Sequence, residues 1–294
     1  MPSVVHNRPP SPGDIAVRTI AVVNRKGGSG KTTTAVSLAA ALAERGLPVL
    51  LIDLDPQGSA SAWLGRDPDG HSSLDNLVET RDIASIVVKT NVDNLELVPS
   101  SPRLQTAERT MKGELGVGVL RAIQRLSPSW AFVIVDCPPS LSYLSVGALM
   151  GVREVVIPVE AHSIALSGVA AVVREIGRIQ SSLNPILGSP LIVACRVNRT
   201  VHARNVVEEL DRTYGHLLAR ASIHESIRFA EAEAARLPIT EFAPDSGACT
   251  DYRQLAEELM EREVLPEPAP RPVSRWRQLL RRSSNMTPLN RRAV

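Results

Sequence analysis

The chain has 294 residues, 44% of them apolar and only 3% aromatic. That length suits one large domain or two small ones, and a core so poor in aromatics is built from Ala, Val, Leu and Ile, as in helices packed on a buried parallel sheet. The net charge of +2 comes from the tail: residues 271–294 hold seven arginines and no acid, the rest has 26 basic against 31 acidic residues, a charge of −5, and a global field drawing nucleic acid to the body is excluded.

Residues 1–17 are polar and Pro-rich and read as a flexible arm. Arg18 to Asn24 is the first expected strand. Its apolar run, Ile20 to Val23, enters a loop containing Gly27, Gly28 and Gly30 that ends in Lys31-Thr32. Val36, Leu38, Ala39, Leu42 and Ala43 then have helical spacing, which predicts a helix over Thr33–Arg45 stopped by Gly46. Pro48 to Leu54 is a strand apolar on both faces. Residues 55–93 are loop-rich, with short helical possibilities at Leu74–Val78 and Ile83–Val88. A short strand Leu95–Val98 leads to helices over Ser101–Lys112 and Gly116–Leu126. Strand Ala131–Asp136 is broken by Pro138-Pro139. Helix Ser142–Met150, strand Glu154–Val159, amphipathic helix Leu166–Leu183, strand Leu191–Val197, helix Ala203–Tyr214 and strand Leu217–Ile223 follow. Glu225–Ala235 and the helix Ala248–Val264 close the body, and Pro266–Pro272 is a linker. This alternation predicts an α/β fold, a doubly wound and mostly parallel sheet flanked by helices. The expected organisation is an arm at 1–17, one α/β domain at 18–264, and a Pro-rich linker with a basic tail at 265–294.

No apolar run approaches the ~18–20 residues of a membrane span, and the N-terminus lacks a signal-peptide pattern. Cys137, Cys195 and Cys249 are far apart, as incidental thiols of a reducing compartment are. The expected location is cytoplasmic.

A strand, a glycine loop, Lys-Thr and a helix form the layout of a phosphate-binding P-loop. Glycines let successive N–H groups point inward, and the helix N-terminus adds partial positive charge. Residues Gly27, Gly28, Ser29, Gly30, Lys31, Thr32 and Thr33 are the candidate ATP cradle. Lys31 would reach the β- and γ-phosphates and the Thr32 hydroxyl would ligate Mg²⁺. Asp53 and Asp55 leave the second strand, and Asp136 ends the strand Phe132–Val135. In an open α/β sheet the ligand crevice lies at such carboxyl ends, so these carboxylates belong beside the γ-phosphate and the metal.

One position departs from the general P-loop pattern: Arg25 stands where the first glycine is expected, and Lys26 follows it. The string Lys26-Gly27-Gly28-Ser29-Gly30-Lys31-Thr32 resembles the deviant Walker A motif of the ParA/MinD superfamily of P-loop NTPases. The resemblance implies that Lys26 crosses a homodimer interface to touch the partner's nucleotide. Asp53-Leu54-Asp55-Pro56-Gln57-Gly58-Ser59 resembles the D-x-D-P-Q-G-N/S motif of ParA/Soj proteins, by which Asp55 positions the attacking water and Asp53 supports the metal or the loop. Asp136-Cys137-Pro138-Pro139 resembles the family's Walker B strand end. The implied catalytic residues are Lys26, Lys31 and Asp55; the implied Mg²⁺ residues are Thr32, Asp53 and Asp136.

The likeness to ParA/Soj proteins extends over about residues 18–262. Glu225 to Ala232 is similar to the family's V-R-L-S/A-E-A-P segment, and Arg199 sits where its D-x-R-T stretch carries an arginine. By that likeness Arg199 and Arg228 grip non-specific DNA, through phosphates and without sequence readout. Asn198-Arg199-Thr200 replaces the usual D-P/A-R-T, and Glu233 stands where a proline-centred turn usually continues. Asn198 could instead read the adenine edge. The family implies an ATP-dependent, nucleoid-associated dimer that partitions a chromosome, plasmid or other cargo, its slow hydrolysis stimulated by a ParB-like partner. The alternative is a MinD-like factor on a membrane surface. Its anchor would be the tail, where Trp276, Leu279 and Leu280 share one helical face among arginines. That tail equally suits contact with DNA or protein, or a disordered solubilising segment.

Overall fold

In the computed structural model, residues 17–66, 83–161 and 166–262 are described. The expected arm (Val17 apart), the helical stretch at 74–78, and the linker and tail from 265 lie outside them.

The strands are β1 (Arg18–Val22), β2 (Val49–Asp53), β3 (Val88–Lys89), β4 (Leu95–Val98), β5 (Phe132–Asp136), β6 (Glu154–Glu160), β7 (Leu191–Val197) and β8 (Ile223–His224). They form one sheet in the order β3-β4-β2-β5-β1-β6-β7-β8. Among these pairs all are parallel except the edge pair β3–β4. The mostly parallel sheet expected from the alternation of elements is therefore present.

Successive side chains of the central strands point to opposite faces, and both faces are covered. On one side Ile20, Val22, Val49, Leu51 and Ile134 pack with α1 (Lys31–Ala43), α9 (Ile239–Phe242) and α10 (Gly247–Glu261). On the other, Ala21, Val23, Leu50, Ile52, Val133 and Val135 pack with α4 (Gly113–Gln124), α5 (Tyr143–Gly151), α6 (Leu166–Ser182) and α7 (Val201–Tyr214). Double coverage is why these strands read as unbroken apolar runs. α2 (Ser59–Trp63), α3 (Arg103–Met111) and α8 (Arg228–Ala234) complete the helices used below. The chain moves from β5 on one side of β1 to β6 on the other. The reversal makes the carboxyl end of β1 a topological switch point, the place where such sheets open a crevice.

Two local expectations change. The strand expected over Leu217–Ile223 is a strand only at Ile223–His224, preceded by an isolated pairing of Leu218 with Ile192. The reason lies in α10: the Glu258 carboxylate accepts the N–H groups of Arg220 and Ala221, both at 3.0 Å. Those amides are thereby taken from β7. The helical stretch expected over Ile83–Val88 is a single 3₁₀ turn, Ile83–Ile86, feeding the edge strand.

α4 and α5 touch backbone to backbone. A Cβ on Gly147 would lie 2.5 Å from the Gly116 carbonyl oxygen, whereas one on Gly177 in α6 would meet nothing within 4 Å. Gly147→Ala is expected to lose about 1–3 kcal/mol because overpacking exceeds the helix-propensity gain. Gly177→Ala is expected to gain about 0.5–1 kcal/mol from propensity alone. Urea unfolding of both variants checks the pair.

Candidate nucleotide site

The loop after β1 turns into α1 through Gly28 and Gly30, at φ of 74° and 87°. This left-handed backbone costs glycine little. Gly30 is the N-cap residue of α1, its carbonyl accepting the Thr34 N–H at 2.8 Å. No acidic residue occupies the first turn, so the helix dipole is left for an external anion. Ser29 is buried and its hydroxyl has no partner.

Lys31 begins the helix and is 7% exposed. Its Nζ donates to the Lys26 carbonyl at 3.1 Å. Burial lowers its pKa, opposed by the nearby negative charge of Asp136 and Asp55.

The three carboxylates arrive from adjacent strand ends. Asp53 and Asp136 are register neighbours on β2 and β5, and Asp136 also pairs in register with Val22. Both are fully buried. Asp53 accepts the Ser61 N–H at 2.8 Å and the Ser61 hydroxyl at 2.7 Å on one oxygen, and the Asp55 N–H at 3.2 Å on the other. Burial pushes its pKa up to about 6 against these bonds. Its carboxylate thus bonds the segment that carries Asp55 and Ser61. Among the described residues neither Asp136 oxygen makes a full hydrogen bond, the Thr32 hydroxyl being the donor close to it. Burial and the Asp53 charge raise its pKa well above the usual carboxylate range, with the nearby Thr32 hydroxyl opposing the rise. A buried carboxylate without a full hydrogen bond, beside a hydroxyl, is a donor set that suits a hard divalent cation. Asp136 and Thr32 are the residues that would hold Mg²⁺.

Asp55 lies at the mouth. One of its oxygens accepts the Gln57 N–H at 3.0 Å, and its carbonyl accepts the Gly58 N–H at 2.9 Å.

A cavity of about 740 Å³ opens at Lys31, Thr32 and Asp55. It runs from Gly27–Thr33 and Asp55 past Cys195 and Arg196 of β7 to His224, Ile227 and Phe229. β8 lies three strands from β1, roughly 14 Å at ordinary strand spacing. That is the reach of a nucleotide, not of a phosphate ion.

Lys26 is half exposed, and its Nζ pairs with Glu160 at 2.6 Å. Glu160 also accepts Arg196 at 2.7 Å, and Arg196 reaches Glu225 at 3.2 Å. Arg196 sits at the irregularity in β7, at a left-handed φ of 53°. Asn198 does not line the cavity; its oxygen accepts from Thr200, N–H at 3.2 Å and hydroxyl at 2.7 Å. Arg199 is exposed just before α7, and Arg228 opens α8, paired with Glu231 at 2.8 Å. The two arginines therefore follow neighbouring strands, β7 and β8, at the same end of the sheet.

Residues 17–188 match a family model described as an AAA domain. The chromosome-partitioning ATPase Soj of Thermus thermophilus is 38% identical over 249 residues, which is 84% of this chain and 96% of that protein. The sporulation initiation inhibitor protein Soj of Bacillus subtilis is 34% identical over 247 residues, 82% of this chain and 98% of that protein. The chain belongs to the ParA/MinD family of ATPases. Among solved structures, cobyrinic acid a,c-diamide synthase from Mycobacterium smegmatis, with a bound ATP analog and magnesium, matches with a TM-score of 0.71. It shares 31% identity, over 83% of this chain and 95% of that one.

Sequence reasoning missed Glu160, Arg196, His224, Asp251 and Tyr252 as parts of this ParA/MinD-family site. Glu160 ends a buried strand as Asp136 does, so the strand-end rule applies to it equally. Arg196 breaks an apolar run, a usable signal. Asp251 and Tyr252 sit in a helix remote in sequence, and nothing local marks them.

Asp136 also generates a test. A group whose folded pKa is raised favours the fold while protonated, so its contribution is complete below the unfolded value and lost as pH rises through the folded one. Asp136→Asn, free of nucleotide, is expected to exceed the wild type in stability at pH 7.5 by about 1–3 kcal/mol. The gap should close toward pH 4. Urea denaturation across that range measures it.

Proposed function

We propose that this chain is a Mg²⁺-dependent ATPase that dimerises around ATP, binds DNA non-specifically as a dimer, and partitions a chromosome, plasmid or other cargo. The observation that carries the reading is one cavity lined by Lys31, Thr32 and Asp55, with Asp136 buried behind it next to Thr32 and Lys31 and with Lys26 nearby at Glu160. Family membership and the named Soj relatives support it.

Lys31 and the loop amides bind the phosphates and stabilise charge on the transferring group. Bound Mg²⁺ supplies further charge neutralisation at the phosphate oxygens. Asp136 and Thr32 hold the metal, while Asp53 fixes the loop that carries Asp55. Asp55 orients the water for attack in line with the leaving oxygen. Lys26 leaves Glu160 and enters the partner's site, so ATP becomes the seal of the dimer and hydrolysis releases it. Turnover is slow until a ParB-like protein accelerates it. Arg199 and Arg228, doubled by dimerisation, grip DNA phosphates on the nucleoid, within the cytoplasm.

Asp55→Ala is expected to bind ATP and lose about 10²-fold or more in kcat, read by phosphate release. Lys26→Ala should stay monomeric with ATP in light scattering while retaining nucleotide. Arg199→Glu combined with Arg228→Glu should abolish ATP-dependent DNA binding. For the wild-type dimer, four such contacts predict a log–log salt slope of roughly −3 to −4. ATP-dependent binding to anionic liposomes without DNA binding, lost when the chain is cut after Val264, would favour the MinD-like alternative.

A further inference from the structure

The cavity has a second chemical feature at the end away from the P-loop. His224 ends β8 and lines the cavity wall. Its backbone N–H donates to Oδ2 of Asp251 at 2.8 Å, and its ring Nδ1 meets the same oxygen at 3.0 Å. The Asp251 side chain is 11% exposed and the His224 side chain 64%. A carboxylate only accepts, so Nδ1 carries a hydrogen, and in that imidazole tautomer Nε2 is the acceptor. Among the described residues no protein donor meets Nε2. The wall beside it mixes apolar Ile227, Phe229 and Ala230 with polar Glu225, Ser226 and Glu233. Phe229 is itself held edge-on by Tyr252, ring centroids 5.7 Å apart at 86°.

Apolar side chains beside an acceptor that a second residue orients form a surface for a flat heteroaromatic ring that presents a donor. The P-loop fixes which end of a nucleotide lies there, because phosphates on Gly27–Thr33 leave the base toward β8. We propose that His224, positioned by Asp251, is a base-specificity residue whose Nε2 accepts the exocyclic amine of a 6-aminopurine nucleotide. A 6-oxopurine turns a carbonyl oxygen toward the same nitrogen, acceptor against acceptor, and is disfavoured. The inference rests on the nucleotide reading above and adds to it how the base is chosen. Asp251 acts through His224 alone: it fixes the tautomer and the ring direction.

ATP and inosine triphosphate test this cleanly, since they share sugar and phosphates and differ at purine position 6, with the matching change at N1. Binding of each to the full chain with Mg²⁺ is measured by isothermal titration calorimetry. The wild type is expected to favour ATP by about tenfold or more, the usual effect of one unmade hydrogen bond in a built site. His224→Ala should weaken ATP by about tenfold and change inosine triphosphate by less than about twofold. His224→Gln, whose amide oxygen can take the same hydrogen, should restore part of the preference. Asp251→Asn should lose preference with His224 intact. Lys31→Ala should weaken both nucleotides alike. An unchanged ratio in His224→Ala overturns the proposal while leaving ATP binding in place. A wild type that binds neither nucleotide overturns the nucleotide reading itself.

Discussion

The rest of the site depends on a charge the fold buries with little compensation. Asp53 and Asp136 stand side by side at the ends of two central strands, out of water. Asp53 is compensated from within by Ser61 and the Asp55 amide. Asp136 makes no such bonds among the described residues, only the Thr32 hydroxyl and the Lys31 charge lie near it, and an effective penalty of several kcal/mol per buried ion is too large to carry without a fuller return. Lys31 cannot provide it alone, since its own ammonium is desolvated and donates to the Lys26 carbonyl. Beside them an α-helix N-terminus carries no acid in its first turn. A bare anion would satisfy the loop and worsen Asp136, and a bare cation would do the reverse. The ligand that satisfies both is an anion carrying its own divalent metal.

Around this centre the rim is built from weaker contacts. Glu160 holds Lys26 and Arg196, and Glu225 holds Arg196 in turn. Half-exposed ion pairs of this sort contribute about 0–1 kcal/mol each, so the ladder orients Lys26 without locking it. The proposed entry of Lys26 into another subunit's site fits a side chain held in that way. Dry, buried contacts are confined to the centre and screened pairs to the rim, where the proposed exchange would occur.

The sheet and the P-loop were legible in the sequence because their signals are local: apolar runs of strand length, a glycine loop, helical spacing in α1. The carboxylates could be placed at the crevice because the strand-end rule needs only the order of elements. Three things escaped. The last strand is cut short by Glu258, a competitor for its amides some forty residues downstream. The edge strand β3 is only two residues long and leaves no periodicity. The far wall of the cavity assembles from β7, β8 and α10, whose proximity is a product of the fold and of no motif.

α10 shows why that last omission matters. Its consecutive residues Asp251 and Tyr252 serve opposite ends of one cavity. Asp251 holds His224, while the buried Tyr252 hydroxyl bonds the Thr34 hydroxyl of α1 at 3.1 Å. Consecutive residues of a helix point about 100° apart, so one turn faces both the wall beyond β8 and the helix that opens the P-loop. Phe229, next to Arg228, leans on the same Tyr252 ring. Tyr252 therefore touches both α8 and the first turn of α1. The segment expected to meet DNA and the loop expected to hold phosphate are braced by one side chain, and the fold needs no longer path to connect them.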